Sequence, residues 1–110
     1  MAEAYKNAYL DITSSAQDFY TCPASTTAIV FSIRITNIDG ANSDSISADV
    51  IDSDGTTNAR LASTILVPAD SSLELCGQTK VVLQAGDKIQ LQGVSASGDL
   101  EALGSILEIT

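Results

Sequence analysis

The hydrophobic and polar positions of this chain alternate with a period of two. In the run Ala28-Ile29-Val30-Phe31-Ser32-Ile33-Arg34-Ile35-Thr36-Asn37, the odd positions Ile29, Phe31, Ile33 and Ile35 are large and apolar, and the even positions end in Ser32, Arg34 and Thr36. In an extended backbone this places one apolar row inward and one polar row outward. The residues are mostly β-branched or aromatic, which suits a strand. Shorter segments follow the same pattern: 8–13 with Leu10 and Ile12, 18–22 closed by Pro23, 45–51 with Ile46, Ala48 and Val50, and 60–67 with Leu61, Ile65 and Val67. Residues 73–75, 81–83, 88–92 and 105–110 complete the set. Asp99 to Leu103 is the best helical candidate, but it is too short and runs into Gly104, so no helical domain is expected.

The connections carry turn chemistry. Asn37-Ile38-Asp39-Gly40 and Asp52-Ser53-Asp54-Gly55 offer glycines for positive φ and Asx side chains for local hydrogen bonds. Ala85-Gly86-Asp87 is short enough to join residues 80–84 and 88–92 as a hairpin, and Ser97-Gly98-Asp99 reads as another turn. The expected fold is therefore all-β: a single antiparallel β-sandwich, jelly-roll-like, of about eight strands. Its body spans residues 8–110. Residues 1–7 lack alternation and are expected to form an N-terminal arm that orders against a neighbour.

Composition sharpens this by exclusion. The chain has 110 residues, 5 Lys plus Arg against 14 Asp plus Glu, a formal charge of −9, and no His or Trp. That length makes one domain, able to bury roughly 65% of its unfolded surface. The acidic balance argues against nucleic acid, whose phosphates are bound by Lys and Arg, and against an anionic membrane surface. No apolar run approaches the roughly 20 residues of a membrane span, and the start lacks a signal-peptide pattern, so synthesis in a cytoplasm-like compartment is expected. Cys22 and Cys76 form neither a Cys-x-x-Cys site nor a disulfide framework. They read as reduced, small apolar side chains, or alternatively as one bridge between adjacent strands.

No catalytic, cofactor-binding or metal-binding residue is assigned. Asp49, Asp52, Asp54 and Gly55 offer oxygen ligands for calcium, but Thr56 and Leu61 stand where an EF-hand needs Asp or Asn and then Glu. A nucleophilic serine would need a base, and without His only Lys6, Lys80 or Lys88 could serve; Lys80 and Lys88 read more simply as solubilising charges. Gly93 to Gly98 lacks the Lys and helix of a phosphate loop. Tyr5, Tyr9, Phe19 and Tyr20 cluster early in the chain. They either cap the core or, for Tyr5 and Tyr9, form a candidate interface with a neighbouring subunit. Outward strand positions carry Ser, Thr, Asn, Gln and Asp, which are polar but inexpensive to desolvate.

The run from Phe19 through Cys22-Pro23 and Thr26-Thr27 to Val30, the turn Asn37-Ile38-Asp39-Gly40, then Val67-Pro68-Ala69, residues 83–89 and the closing Leu107-Glu108-Ile109-Thr110 resemble small accessory virion proteins of tailed bacteriophages. The resemblance spans about residue 8 to the end and rests on turn and strand signatures. It implies an all-β, non-enzymatic particle component, either a capsid decoration (cement) protein or a neck or tail accessory protein. The partners it implies are the major capsid protein or neck and tail proteins, together with further copies of the chain itself, and the expected location is the virion after assembly in the host cytoplasm. The alternative from another class is a carbohydrate-binding β-sandwich module. Such a module usually presents aromatic groove residues, and this chain is only 5% aromatic.

Overall fold

The computed structural model describes residues 2–76, 80–94 and 99–110, with only the backbone of residues 57 and 58. Among the described residues the chain forms nine strands: β1 (Glu3–Ile12), β2 (Gln17–Thr21), β3 (Thr27–Asn37), β4 (Asp44–Ile51), β5 (Thr57–Val67), β6 (Ser72–Glu74), β7 (Val81–Leu83), β8 (Lys88–Gln92) and β9 (Leu100–Ile109). One sheet has the order β1-β9-β3-β6, with β7 also on β3, and the other has β2-β8-β4-β5; every pairing is antiparallel. Because β6 and β7 both lie along β3, they amount to one interrupted edge strand. The chain then crosses repeatedly between two four-stranded sheets, as a jelly roll does.

The expected sandwich is present, and its core is made by inward residues of both sheets. Ile33, Ile35, Ile46, Leu83, Ile89, Leu91 and Leu100 are fully buried between them. Phe19 of β2 lies across the core on Gly104 of β9, so closely that a Cβ there would stand 2.6 Å from the ring. The sheets therefore approach at Gly104 because no side chain intervenes.

The pattern of β3 departs from the sequence expectation. Ala28 and Val30 are buried, then Ile33 and Ile35, while Ile29 and Phe31 are only half-buried. The register against β9 shifts between Val30 and Ser32, a β-bulge that adds one residue and turns the following side chains to the opposite face. Even positions face the core before the bulge and odd positions after it. Similar shifts along β4 and β5 leave Ile65 and Leu66 exposed, with Thr64 at a φ of 52°.

Side chains substitute for a strand where the interrupted edge leaves the bulge open. The Glu74 carboxylate accepts from Ile33 N–H at 2.8 Å, from Cys76 N–H at 3.0 Å and from the Ser32 hydroxyl. Lys80 Nζ donates to Phe31 O at 3.1 Å. Burial alone would raise the Glu74 pKa, but these hydrogen bonds, with the charge of Arg34, outweigh it and hold the carboxyl below its usual range.

Two other expectations are corrected. Residues 80–84 and 88–92 are not a hairpin, since β7 pairs with β3 and β8 with β2 and β4. The turn between them carries the chain from one sheet to the other: Gly86, at φ 88°, donates to Cys22 O at 2.9 Å, and Cys22 N–H donates to Asp87 O at 2.8 Å. Residues 3–7, expected as an arm, form the first half of β1 and pair with Ser105–Ile109. The turn at Asp52-Ser53-Asp54-Gly55 does close the β4–β5 hairpin, with Gly55 at φ 89° and Asp54 accepting from Thr56 N–H at 2.9 Å. Most of the Gly93–Gly98 loop and of the Ser97–Asp99 turn lies outside the described residues.

Candidate assembly interface

The two sheets present different outer faces. On the β2-β8-β4-β5 sheet, the cross-strand row Asp18–Gln90–Asp49–Arg60 spans its full width. Gln90 Nε2 donates to Asp18 Oδ1 at 2.8 Å, Arg60 Nε donates to Asp49 at 2.9 Å, and Lys88 pairs with Asp18 at 3.2 Å. This row matches the polar surface expected from sequence, and its charges are occupied with one another, while Leu66 is an exposed apolar residue on the same face.

The outer face of the other sheet is apolar near β1. Val82, Ile29, Leu107 and Tyr5 form one cross-strand row. Phe31 adds to it by stacking with Tyr5, ring centroids 6.5 Å apart. Leu107 is only 8% exposed although it points away from the core, because its neighbours in this row cover it. Tyr9 and Leu103 lie opposite each other two pleats further on, past the row Asn7–Ser105–Ser32, and are followed across the sheet by Arg34. Tyr5 is 79% exposed, Tyr9 73%, Val82 56% and Leu103 43%. Tyr9, Asp11, Arg34, Thr36, Glu101 and Leu103 border an open groove of about 420 Å³. Across it Asp11 faces Glu101, and Arg34 stands in the neighbouring row beside Leu103.

The structure thus places Tyr5 and Tyr9, the two residues singled out in sequence, on one strand and one face. Phe31, Ile29 and Leu107 join them and were assigned elsewhere or not at all. The available signal was the run of consecutive apolar residues 28–31, which leaves no polar face to give to solvent.

The backbone of β1 is open on one side. Ala2 N–H donates to Thr110 O at 3.1 Å and Thr110 N–H donates to Ala2 O at 2.8 Å, so this is a hydrogen-bonded pair of the antiparallel ladder. Such pairs alternate with non-bonded ones. The register to β9 runs unbroken from Glu3 to Ile12. Even residues of β1 therefore bond to β9, and the N–H and C=O groups of Glu3, Tyr5, Asn7, Tyr9 and Asp11 point off the sheet. No strand among the described residues pairs with that edge.

On its inner side β1 is fastened by a polar cluster. Glu108, 7% exposed, accepts from the Tyr20 hydroxyl on the opposite sheet and pairs with Lys6 Nζ at 2.9 Å. The Tyr20 and Lys6 bonds hold the Glu108 carboxyl below its usual range. Burial, then the Glu108 bond and charge, push the Tyr20 hydroxyl well up.

The remaining candidates are taken up locally. Asp49 serves Arg60 and Asp54 caps its turn; among the described residues no group of three metal-ligating side chains forms. Lys6, Lys80 and Lys88 engage Glu108, Phe31 O and Asp18 respectively. Cys22 and Cys76 are both free thiols, 1% and 0% exposed. Burial, and secondarily the Glu74 charge, push the Cys76 thiol up to about 11; burial and the Glu108 charge raise Cys22 as well. No helix among the described residues is long and apolar enough to cross a membrane.

No family model matches the chain, and no curated protein matches it. Solved structures share its fold. A chain of the disulfide-linked pili that form Bacillus endospore appendages superposes with a TM-score of 0.59 at 13% identity, over 99% of this chain and 87% of that one. A chain of infectious bursal disease virus, Gx strain, superposes with a TM-score of 0.54 at 10% identity; this chain spans 98% of its own length but only 30% of the viral one. At these identities the likeness is one of fold: this chain is an all-β, antiparallel sandwich of the kind found in both.

Proposed function

We propose that the protein is a non-enzymatic structural subunit that acts in many copies on a particle surface, as a capsid decoration protein of a tailed phage that bridges neighbouring capsid subunits. The observation that carries this reading is the open β1 edge beside the exposed Tyr5 and Tyr9 face, an interface-like surface on a chain whose other face carries a row of mutually paired polar side chains. Each contact is modest, and many copies share the load by multivalency. The fold supports the reading, since one structural neighbour comes from a pilus and the other from a virus. The charge of −9 would keep such a protein off nucleic acid in the host cytoplasm, where it would be assembled. A neck or tail position is distinguished by copy number, roughly a dozen or fewer per particle against hundreds for decoration.

A filament subunit is the second reading, favoured by the match over 87% of a pilus chain. In that case the polymer is non-covalent through these residues, because both thiols are buried. The test is co-sedimentation of the purified protein with purified shells, together with mass spectrometry of virions and negative-stain imaging of the protein alone. Saturable shell binding with hundreds of copies supports decoration, and filaments of the protein alone support the second reading. A protein that neither binds shells, nor occurs in virions, nor assembles overturns both.

A further inference from the structure

The four sheet edges are not equivalent. The β2 edge is five residues long and bulged between Asp18 and Tyr20. The β5 edge carries several register shifts and a residue with φ 52° at Thr64. The fourth edge is broken into β6 and β7, three residues each. Short length, bulges and interruption are the devices that keep an edge from recruiting another strand. β1 has none of them: ten residues, no Pro, no bulge.

We propose that β1 pairs antiparallel with β1 of a second copy, about a two-fold axis through Asn7, joining two sheets into one. This deepens the structural-subunit reading above and rests on it. The residues whose backbone groups point off the edge are all odd, so a self-pairing register must set odd residues opposite odd ones. Centred on Asn7, the register overlaps nine residues and sets Asn7 against the partner's Asn7. Tyr5 then stands against the partner's Tyr9, twice by symmetry, and aromatic cross-strand pairs of this kind are favourable. The apolar patches of both copies become continuous across the junction.

Lys6 disfavours the register on one side of this one, and the Tyr5–Tyr9 pair distinguishes it from the other. Lys6 lies on the inner face and is half exposed beside Glu108. A centre one residue earlier would set it against the partner's Lys6, whereas the Asn7 centre gives it the small Ala8. The ends of the overlap oppose Glu3 to the partner's Asp11, and each copy carries −9, so added salt strengthens the pairing.

The experiment is sedimentation equilibrium of the full chain and its variants across concentration and salt. The expected wild-type result is a mass rising from 11.4 kDa toward twice that value, more readily at 0.5 M than at 0.05 M salt. Asn7→Pro removes only a donor that points off the edge, so it abolishes the dimer while thermal unfolding shows a folded chain. Asn7→Cys under mild oxidation forms a disulfide-linked dimer on non-reducing gels, since facing Cα atoms about 5.5 Å apart suit the bond. Asp11→Cys, on the same strand and face, does not. A wild type that stays monomeric at every concentration and salt, equal crosslinking of both cysteine variants, or dimers that survive Asn7→Pro would overturn the pairing. Shell binding and imaging decide the broader reading separately, so its failure is distinguishable.

Discussion

Replacing Gly104 by Ala tests the close approach of the two sheets. Gly104 does not have positive φ, so alanine meets no backbone strain and the effect is steric. The new methyl would stand 2.6 Å from Phe19 Cζ and 2.7 Å from Cε2, with Ser32 O at 3.4 Å. Ordinary carbon contacts lie near 3.5–4 Å, so the ring must withdraw by nearly 1 Å. Phe19 is 7% exposed and packed into the core, so it has little room to move. Overpacking of this size costs about 1–3 kcal/mol. Alanine also returns about 0.5–1 kcal/mol by restricting the unfolded chain. At the middle of both ranges the net loss is about 1.3 kcal/mol. With an unfolding entropy of about 0.23 kcal/mol/K for a chain of this length, Tm falls by about 5 °C. Differential scanning calorimetry measures it, and the double variant Gly104→Ala, Phe19→Leu should be more stable than the sum of the two single losses. A Gly104→Ala protein as stable as wild type, or strictly additive losses, would refute the packing argument.

Four further outcomes follow from the polar contacts and the thiols. Tyr20→Phe removes a bond from buried Glu108 and should cost about 1–3 kcal/mol in urea unfolding, because among the described residues the carboxylate then keeps Lys6 alone. Glu74 and Glu108 both have carboxyl pKa values lowered by folding, so the stability they contribute is present above the ordinary glutamate pKa near 4.5 and is lost as pH falls through their folded values; Glu108→Gln should flatten that part of a stability-against-pH curve. The thiols of Cys22 and Cys76 should resist a colourimetric thiol reagent at pH 8 in the native protein and both react in denaturant; prompt reaction of either in the folded state contradicts their burial. Arg60→Ala breaks an exposed pair with Asp49 and should change stability by less than about 0.5 kcal/mol in the same urea assay.

The sandwich was legible because alternation is a local property: every strand placed in sequence reappears, most within a few residues. What sequence misjudged depends on distant partners. The turn Ala85-Gly86-Asp87 has hairpin chemistry, yet its flanking strands enter different sheets, which only β3 on one side and β4 on the other decide. Residues 3–7 show no alternation because the start of β1 lies beyond the core, where Ala4 and Lys6 occupy inner positions that need not be apolar. Tyr5 and Tyr9 were findable because a spacing of four keeps one face of a strand. Phe31 and Ile29 were assigned to the core because nothing in a period-two reading marks where the phase changes.

That change of phase ties two properties of the molecule together. A single extra residue near Phe31 lets one strand give its first half to the outer patch and its second half to the core with the same odd numbering. Deleting Phe31 would leave Ala28 and Val30 inside and Ile29 outside, because Val30 and Ser32 already face consecutive residues of β9, Ile106 and Ser105. The patch and the core therefore share one strand without competing for its residues: the bulge is a joint at which the numbering changes sides while the pairing runs on.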